Sequence, residues 1–375
     1  MPHIVLFSGG TACRSINLAL SRKGVELTRV VPSWDSGGSS KGIRDALGVL
    51  SVGDVRQALM TMAYGEGRVG DVVKICNARV SLQADHEGAK AEFEFYASGR
   101  HPSLLRLDAG LRGAILTYLQ TFETAVGPAF DYRNCSIGNA ILTGAYLAHN
   151  RDVNTAIFVF RKICDIAGNV WPSSLDDDAV LSARLKNGCI LTAQDAVTTL
   201  SPEDAAVGIR SVSLRNASAA AVRANPAVIE AIRSADLIVF GPGSPYTSVL
   251  PHLLVEGIAS AVEAQPCGKV FIGNILQCRE STGSDLGEIV AAADDLCRAA
   301  RPGASDTGSI FTHILANRVL FPFAKTVGSF PYLGSETIDE EADRIVMRGE
   351  FEDAWNRGQH DGEQIAEHLL DLAKS

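Results

Sequence analysis

No apolar run in this 375-residue chain is long enough to cross a membrane. Runs such as AIFVF at 156–160 and LIVF at 237–240 fall far short of the roughly 20 residues a spanning helix needs. The N-terminus, MPHIVLFSGG, lacks the basic segment, apolar stretch and small-residue cleavage site of a secretory leader. The eight cysteines form no CxxC pair, and the eight histidines form no HxH or HxxxH pattern, so neither a zinc site nor a redox dithiol is signalled. An excess of positive charge is also missing: 34 Lys and Arg face 43 Asp and Glu, for a net charge of −9. A chain of that sign has no global field for nucleic acid or an anionic membrane surface. These absences lead us to expect a cytoplasmic protein with reduced thiols, no membrane and no nucleic-acid partner. Any phosphate it binds must be met by local charge.

What is present is alternation of strand and helix. HIVLF is a short β-branched and aromatic run closed by SGGT, ACRSINLALSRKG is helical and stops at Gly24, and LTRVVPS is extended again. From about Asp45 to Ile166 apolar residues recur at three- and four-residue spacing, as in DVRQALMTMA and IGNAILTGAYLAHN. Strand-like runs return near CILTA (189–193) and VSLRN (212–216). They are followed by a helix in ANPAVIEAIRSA, the strand DLIVF, the loop GPGS, a helix over PYTSVLPHLLVEGIASAVEA and the strand KVFIG. The pattern predicts an α/β fold, Rossmann-like and doubly wound, with a mostly parallel sheet and an inserted helical region. We expect one domain over 1–375, with 45–166 mainly a helical insertion and 300–375 a helical C-terminal extension.

Four loops each follow a predicted strand, SGGT, DSGGSS, GPGS and GNILQ, and in an open α/β sheet such loops line the ligand crevice. In SGGT, Gly9 and Gly10 let backbone N–H groups approach an anion, and Thr11 offers a hydroxyl and a helix cap. The dinucleotide pattern GxGxxG and the phosphate loop GxxxxGK[ST] are both absent, which makes an NAD-type oxidoreductase the minor reading. DSGGSSKGIR carries Gly37, Gly38, Ser39, Ser40, Lys41 and Arg44 as a nest for anions. Asp35 ahead of them is a candidate Mg²⁺ ligand. A solvated Gly/Ser loop with a surface ion pair is the plain alternative. GPGSPYTS places Gly241, Pro242, Gly243, Ser244 and Thr247 at a helix start, where capping and anion binding compete for the same N–H groups. RNCSIGN places Ser136 and Asn139 at another helix start, with simple capping as its alternative. A glycine pair at one strand end is usually a turn, but four such loops with matching chemistry point to a ligand.

Together the strings SGGT (8–11), DSGGSSKGIR (35–44), GDVR (53–56), SIGN (136–139), GPGSPYTSVLPHLL (241–254) and Asn274 in KVFIGNILQ resemble the CofD/YvcK family. Their order matches over roughly residues 3–300. One branch of that family comprises 2-phospho-L-lactate transferases of deazaflavin-coenzyme biosynthesis, the other the YvcK gluconeogenesis-factor proteins. RDALGVLSVGDVRQAL looks nearer the second branch. The family pattern has two adjacent acids where this chain has Asp35 and Ser36, and GHSFGN where it has NCSIGN. The resemblance implies a Rossmann-like core that binds a guanosine- or uridine-type nucleotide-diphosphate conjugate, with Mg²⁺ as cofactor. It further implies transfer of a phospho-acyl group to an acceptor hydroxyl, or regulatory binding of a UDP-sugar without catalysis. On that reading Asp35 and Asp54 are the catalytic or metal carboxylates, and Lys41, Arg44 and Arg56 the phosphate cations. The glycine loops and Asn274 complete the site, and a homodimer is expected.

Overall fold

The computed structural model describes residues 1–63, 68–300, 309–321, 323–338 and 344–374. Among the described residues the twelve strands, in chain order, are β1 (His3–Phe7), β2 (Glu26–Val31), β3 (Asn169–Pro172), β4 (Val180–Leu185), β5 (Ile190–Thr192) and β6 (Ile209–Arg215). Then come β7 (Leu237–Phe240), β8 (Gly268–Ile272), β9 (His313–Asn317), β10 (Thr326–Val327), β11 (Phe330–Pro331) and β12 (Ile345–Gly349). Seven of them form one sheet in the order β12-β9-β8-β7-β1-β2-β3, and every pairing within it is parallel. Parallel sheets need cover on both faces, and β1 shows how the sequence supplies it. Ile4 and Leu6 point into one apolar cluster, Val5 and Phe7 into the other, and all four are fully buried.

Helix α1 (Arg14–Arg22) connects β1 to β2. Between β2 and β3 lie α2 (Gly38–Leu47), α3 (Gly53–Met62), α4 (Arg68–Asn77), α5 (His86–Ala97), α6 (Pro102–Leu105), α7 (Ala109–Val126), α8 (Ile137–Ala148) and α9 (Val153–Cys164). This block supplies much of the first cluster, through residues such as Phe93, Phe122 and Phe160. A small antiparallel sheet, β5-β4-β6, covers part of the other face. No helix among the described residues is long and apolar enough to cross a membrane.

Two local expectations are corrected. PYTSVLPHLLVEGIASAVEA is not one helix: it divides into a wide turn over Pro245–Val249, a tight turn over Leu250–Leu254 and a helix at Ile258–Ala264. Pro251 has no N–H to continue a helical ladder, and Gly257 starts the last piece at φ +99°. The described part of 300–375 is likewise not a helical extension. It contributes β9 and β12 to the main sheet, and its one described helix is Gly362–Leu372. Within EFEDAWNRG, expected as helix, residues 352–360 form a closed loop joined by a Glu352–His360 bridge. Pairing with β8 and β9 decides the state of this region, and no local periodicity encodes that.

Candidate functional site

The sheet order places the crevice. The chain runs outward from β1 to β2 and β3, then returns to lay β7 on the opposite side of β1. The switch point of the sheet, where α/β proteins bind ligands, therefore lies between the ends of β1 and β7. The loops there are SGGT and GPGS. Because β8, β7, β1 and β2 are consecutive neighbours, all four sequence-predicted loops stand side by side along one edge. A Cβ on Gly243 would lie 3.6 Å from the Gly9 nitrogen, and the Cys13 sulfur sits 3.8 Å from the carbonyl oxygens of Gly241 and Pro242. The loops of β1 and β7 are thus in contact.

Beneath them lies a group the motifs did not announce. Arg29, in the middle of β2, is fully buried. Its guanidinium donates to the Ser8 hydroxyl and the Gly9 carbonyl, each at 2.6 Å, and to the Thr61 hydroxyl at 3.2 Å. The N–H of that same Gly9–Gly10 peptide donates to Asp54 Oδ1 at 3.1 Å. One peptide group therefore links a buried cation to a carboxylate, and its dipole is aligned by both charges. The single charged residue inside the buried run LTRVV was the available sequence signal.

Asp54 stands in the first turn of α3, where a negative charge is favoured by the unpaired N–H groups. Burial and the nearby Asp35 carboxylate push its pKa up to about 7, against the opposing pull of the Gly10 N–H and the charges of Arg29 and Arg56. Gly10 must be glycine here, because an added Cβ would lie 2.8 Å from the Asp54 carbonyl oxygen, from Asp54 Oδ1 and from Gln57 Cβ. Gly53 has the same role toward the second acid: its Cβ would meet Ser40 Oγ at 2.1 Å and Asp35 Oδ2 at 2.5 Å. The GDVR string thus lets α3 press its first turn against Asp35. The Asp35 carboxylate also accepts from the Gly37 N–H at 3.0 Å and the Ser51 hydroxyl at 3.3 Å.

The remaining predicted residues divide into those at the crevice and those used to build it. Arg56 is buried, with its pKa lowered to about 10 by desolvation and by Arg79. It donates to Asn139 Oδ1 at 2.9 Å, and Asn139 in turn donates to Ser39 Oγ at 2.8 Å. This chain ties α3, α8 and α2 together, with Ser136 capping α8 through the Asn139 N–H. Thr11 is exposed and makes no cap, since the helix-capping position is Cys13. Ser40 is buried, whereas Gly38 is exposed. Lys41 is exposed and pairs with Asp195 at 3.4 Å. Arg44 turns away from the crevice and donates to backbone carbonyls of Trp34, Asp35, Asp177 and Ala179. Asn274 clasps Gly243 in both directions, accepting its N–H at 3.0 Å and donating to its carbonyl at 2.8 Å. It fixes the GPGS turn.

At GPGSPYTS the competition between capping and anion binding is decided by a second unannounced residue. Glu280 is buried, and its carboxylate accepts from the N–H groups of Tyr246 and Thr247 at 2.9 and 3.1 Å and from the Thr247 hydroxyl at 2.6 Å. A resident carboxylate occupies this turn, so Thr247, itself fully buried, is engaged by the protein. Desolvation raises the Glu280 pKa to about 7. Ser36, which stands where the resembling family has an acid, donates to Asp195 Oδ1 at 2.8 Å and accepts the Asp195 N–H at 3.0 Å. It holds the Asp35 loop to the helix at Gln194–Thr198. Among the described residues no cluster of three His, Cys, Asp or Glu side chains is arranged to hold a metal. Asp35 and Asp54 are the carboxylates near enough at the crevice for the charge of Asp35 to raise the Asp54 pKa.

The chain is 29% identical over 275 residues to a gluconeogenesis factor of Listeria innocua, covering 73% of this chain and 67% of that protein. It is 26% identical over 377 residues to a putative gluconeogenesis factor of Nostoc sp., covering 98% of this chain and 68% of that one. A crystal structure of a UPF0052-family protein from Bacillus halodurans superposes with a TM-score of 0.70 at 22% identity, over 99% of this chain and 100% of the other. That likeness shows the fold. Residues 4–326 match the family described as 2-phospho-L-lactate transferase CofD, and to that family this chain belongs.

Proposed function

We propose that this chain binds a nucleotide-diphosphate conjugate along the loops of β8, β7, β1 and β2 and transfers its phospho-acyl group to an acceptor hydroxyl. The observation that carries this reading is Asp54, a carboxylate with a pKa near 7 that touches the glycine loop at the switch point. A base poised near neutrality is matched to taking a proton from an attacking hydroxyl. The acceptor oxygen forms a bond to the phosphorus carrying the acyl side, and the phosphoanhydride P–O bond breaks. The nucleoside monophosphate leaves with that electron pair, and the hydroxyl proton passes to Asp54. Positioning and charge neutralisation do most of the work in such transfers. Backbone N–H groups of the β1 and β7 loops and the charge of the buried Arg56 are suited to that task.

Mg²⁺ fits this site. Asp35 and Asp54 offer oxygen ligands of the kind the ion prefers, and their mutual repulsion, visible in the raised pKa of Asp54, would be relieved by a cation. Bound there, the ion would neutralise charge developing on phosphate oxygens. Asp35 would hold it, leaving Asp54 free to act as the base, while the glycine loops position the substrate.

A second reading, binding without turnover, is favoured by two observations. The relatives compared above are named gluconeogenesis factors, and Ser36 is committed to Asp195. Calorimetric titration with guanosine and uridine diphosphate conjugates, with and without Mg²⁺, followed by product analysis, separates the two. The transferase reading expects binding and product in the wild type. It expects Asp35→Asn to retain binding while losing turnover by on the order of 10²- to 10⁴-fold. Binding without product supports the regulatory reading, and failure to bind any conjugate removes both.

A further inference from the structure

Of the three tryptophans, Trp34 is buried and Trp171 half-buried, but Trp355 is 95% exposed. We infer that Trp355 is a stacking platform for the base of the nucleotide, an inference that rests on the nucleotide-binding reading above. The loop that carries it is closed and rigid. Glu352 and His360 form a bridge, the Asp353 N–H donates to the Gln359 carbonyl at 2.8 Å, and the Gln359 N–H donates to the Asn356 carbonyl at 3.0 Å. The Asp353 carboxylate accepts the N–H groups of Trp355 and Asn356 at 2.8 and 3.0 Å and the Asn356 amide at 3.0 Å. Glu352 accepts the Gly358 N–H at 2.8 Å and the Tyr332 hydroxyl, while Arg357 donates to that hydroxyl and lies over the Phe321 ring. A turn with this many internal bonds presents its indole in a fixed place, so little ordering entropy remains to be lost on stacking.

The base of the loop is anchored on the crevice. The His360 ring donates to the Gly273 carbonyl at 2.9 Å, and the His360 carbonyl accepts from Ser15 in the first turn of α1. Gly273 directly precedes Asn274, the residue that pins the GPGS turn. Trp355 lies five positions before His360, a reach of at most about 18 Å of extended chain, on a loop that leaves β12 at the same edge of the parallel sheet as Gly273 and Asn274. The chemistry around it suits a small flat ring. Asp353, Asn356 and Arg357 flank the indole with polar groups, whereas a stable protein interface needs a contiguous surface of about 800 Å² on each partner. Bases stack on aromatic side chains regardless of sequence.

Tryptophan emission during titration with GDP, UDP and pyrophosphate tests this. GDP and UDP should quench Trp355 emission, and pyrophosphate, followed by calorimetry, should bind without quenching. Trp355→Ala should weaken GDP and UDP on the order of tenfold and leave pyrophosphate affinity unchanged, with Trp355→Phe recovering most of the loss. Equal nucleotide affinity in Trp355→Ala overturns the inference alone. So does an equal loss for pyrophosphate, which would mark a collapsed loop, or binding of a protein at Trp355 that nucleotides do not displace. No nucleotide binding by the wild type overturns it together with the proposed function.

Discussion

Substituting Gly10 by alanine isolates the contact between the first glycine loop and α3. The new Cβ would lie 2.8 Å from three atoms, and two of them, the Asp54 carbonyl oxygen and Gln57 Cβ, belong to the body of the helix. Relief to ordinary van der Waals contact requires a shift of about 0.6 Å or more. Such a shift must stretch the 3.1 Å bond from the Gly10 N–H to Asp54. Overpacking of this kind costs about 1–3 kcal/mol, which a domain stable by about 5–15 kcal/mol survives. The variant should therefore fold, unfold at lower urea concentration with an unchanged slope, and lose affinity for the nucleotide conjugate. Gly113 supplies the control. It lies mid-helix in α7, exposed, with no atom within 4 Å of the added Cβ, so Gly113→Ala should stabilise by about 0.5–1 kcal/mol. A Gly10→Ala variant within about 0.5 kcal/mol of wild type, with ligand affinity intact, would refute the close approach and the role given to this loop.

Three further expectations address charge. Glu280 is ionised less readily in the fold than in the open chain, its pKa rising from 4.5 to about 7. The folded state therefore holds its proton longer, and the stabilising increment is full below pH 4.5, shrinks as pH rises toward 7 and is gone above. At ~1.4 kcal/mol per pH unit the change is at most roughly 3.5 kcal/mol, and denaturant midpoints of Glu280→Gln against wild type across that window should diverge accordingly; a constant difference sinks the assignment. Arg29→Met should still fold, because Ser8 Oγ still donates to the Gly9 carbonyl and Asn17 to Thr61. Asp54 then loses a counter-charge, so the acid limb of the transfer pH–rate profile should move to higher pH. Finally, Arg344 and Asp294 form a buried ion pair at 2.7 Å, and Asp294 also accepts from Ser309 and the Ile310 N–H. Asp294→Ala should cost about 1–3 kcal/mol by removing the acceptor of the buried Ile310 N–H, read as a fall in the midpoint of chemical unfolding.

Much of the frame could be read along the chain. HIVLF, LIVF and KVFIG carry the continuous apolar runs that a strand covered on both faces requires, and glycines at their ends mark the loops. Asp35, Gly10 and Asp54 were legible because close approach and local charge leave residue-type signatures at fixed distances from a strand end. The use made of Arg44, Thr247 and Asn139 was not. Each has the composition of a ligand contact, yet its partners, the Ala179 carbonyl, Glu280 and Arg56, come from distant parts of the chain.

Sequence by itself therefore determined the alternation of strands and helices, the positions of the four loops and the acidic charge balance of the chain. Each depends on periodicity, turn chemistry or composition within a few residues. Only the tertiary structure decided that β8, β7, β1 and β2 lie adjacent, that β9 and β12 complete the sheet, and that Arg29 and Asp54 clasp one peptide from opposite sides. Glu280, rather than a ligand, fills the turn at Pro245. Those outcomes are set by pairing between segments tens to hundreds of residues apart, where burial makes every unpaired charge and N–H group costly. A buried group takes the partner the fold brings to it, and no local pattern names that partner.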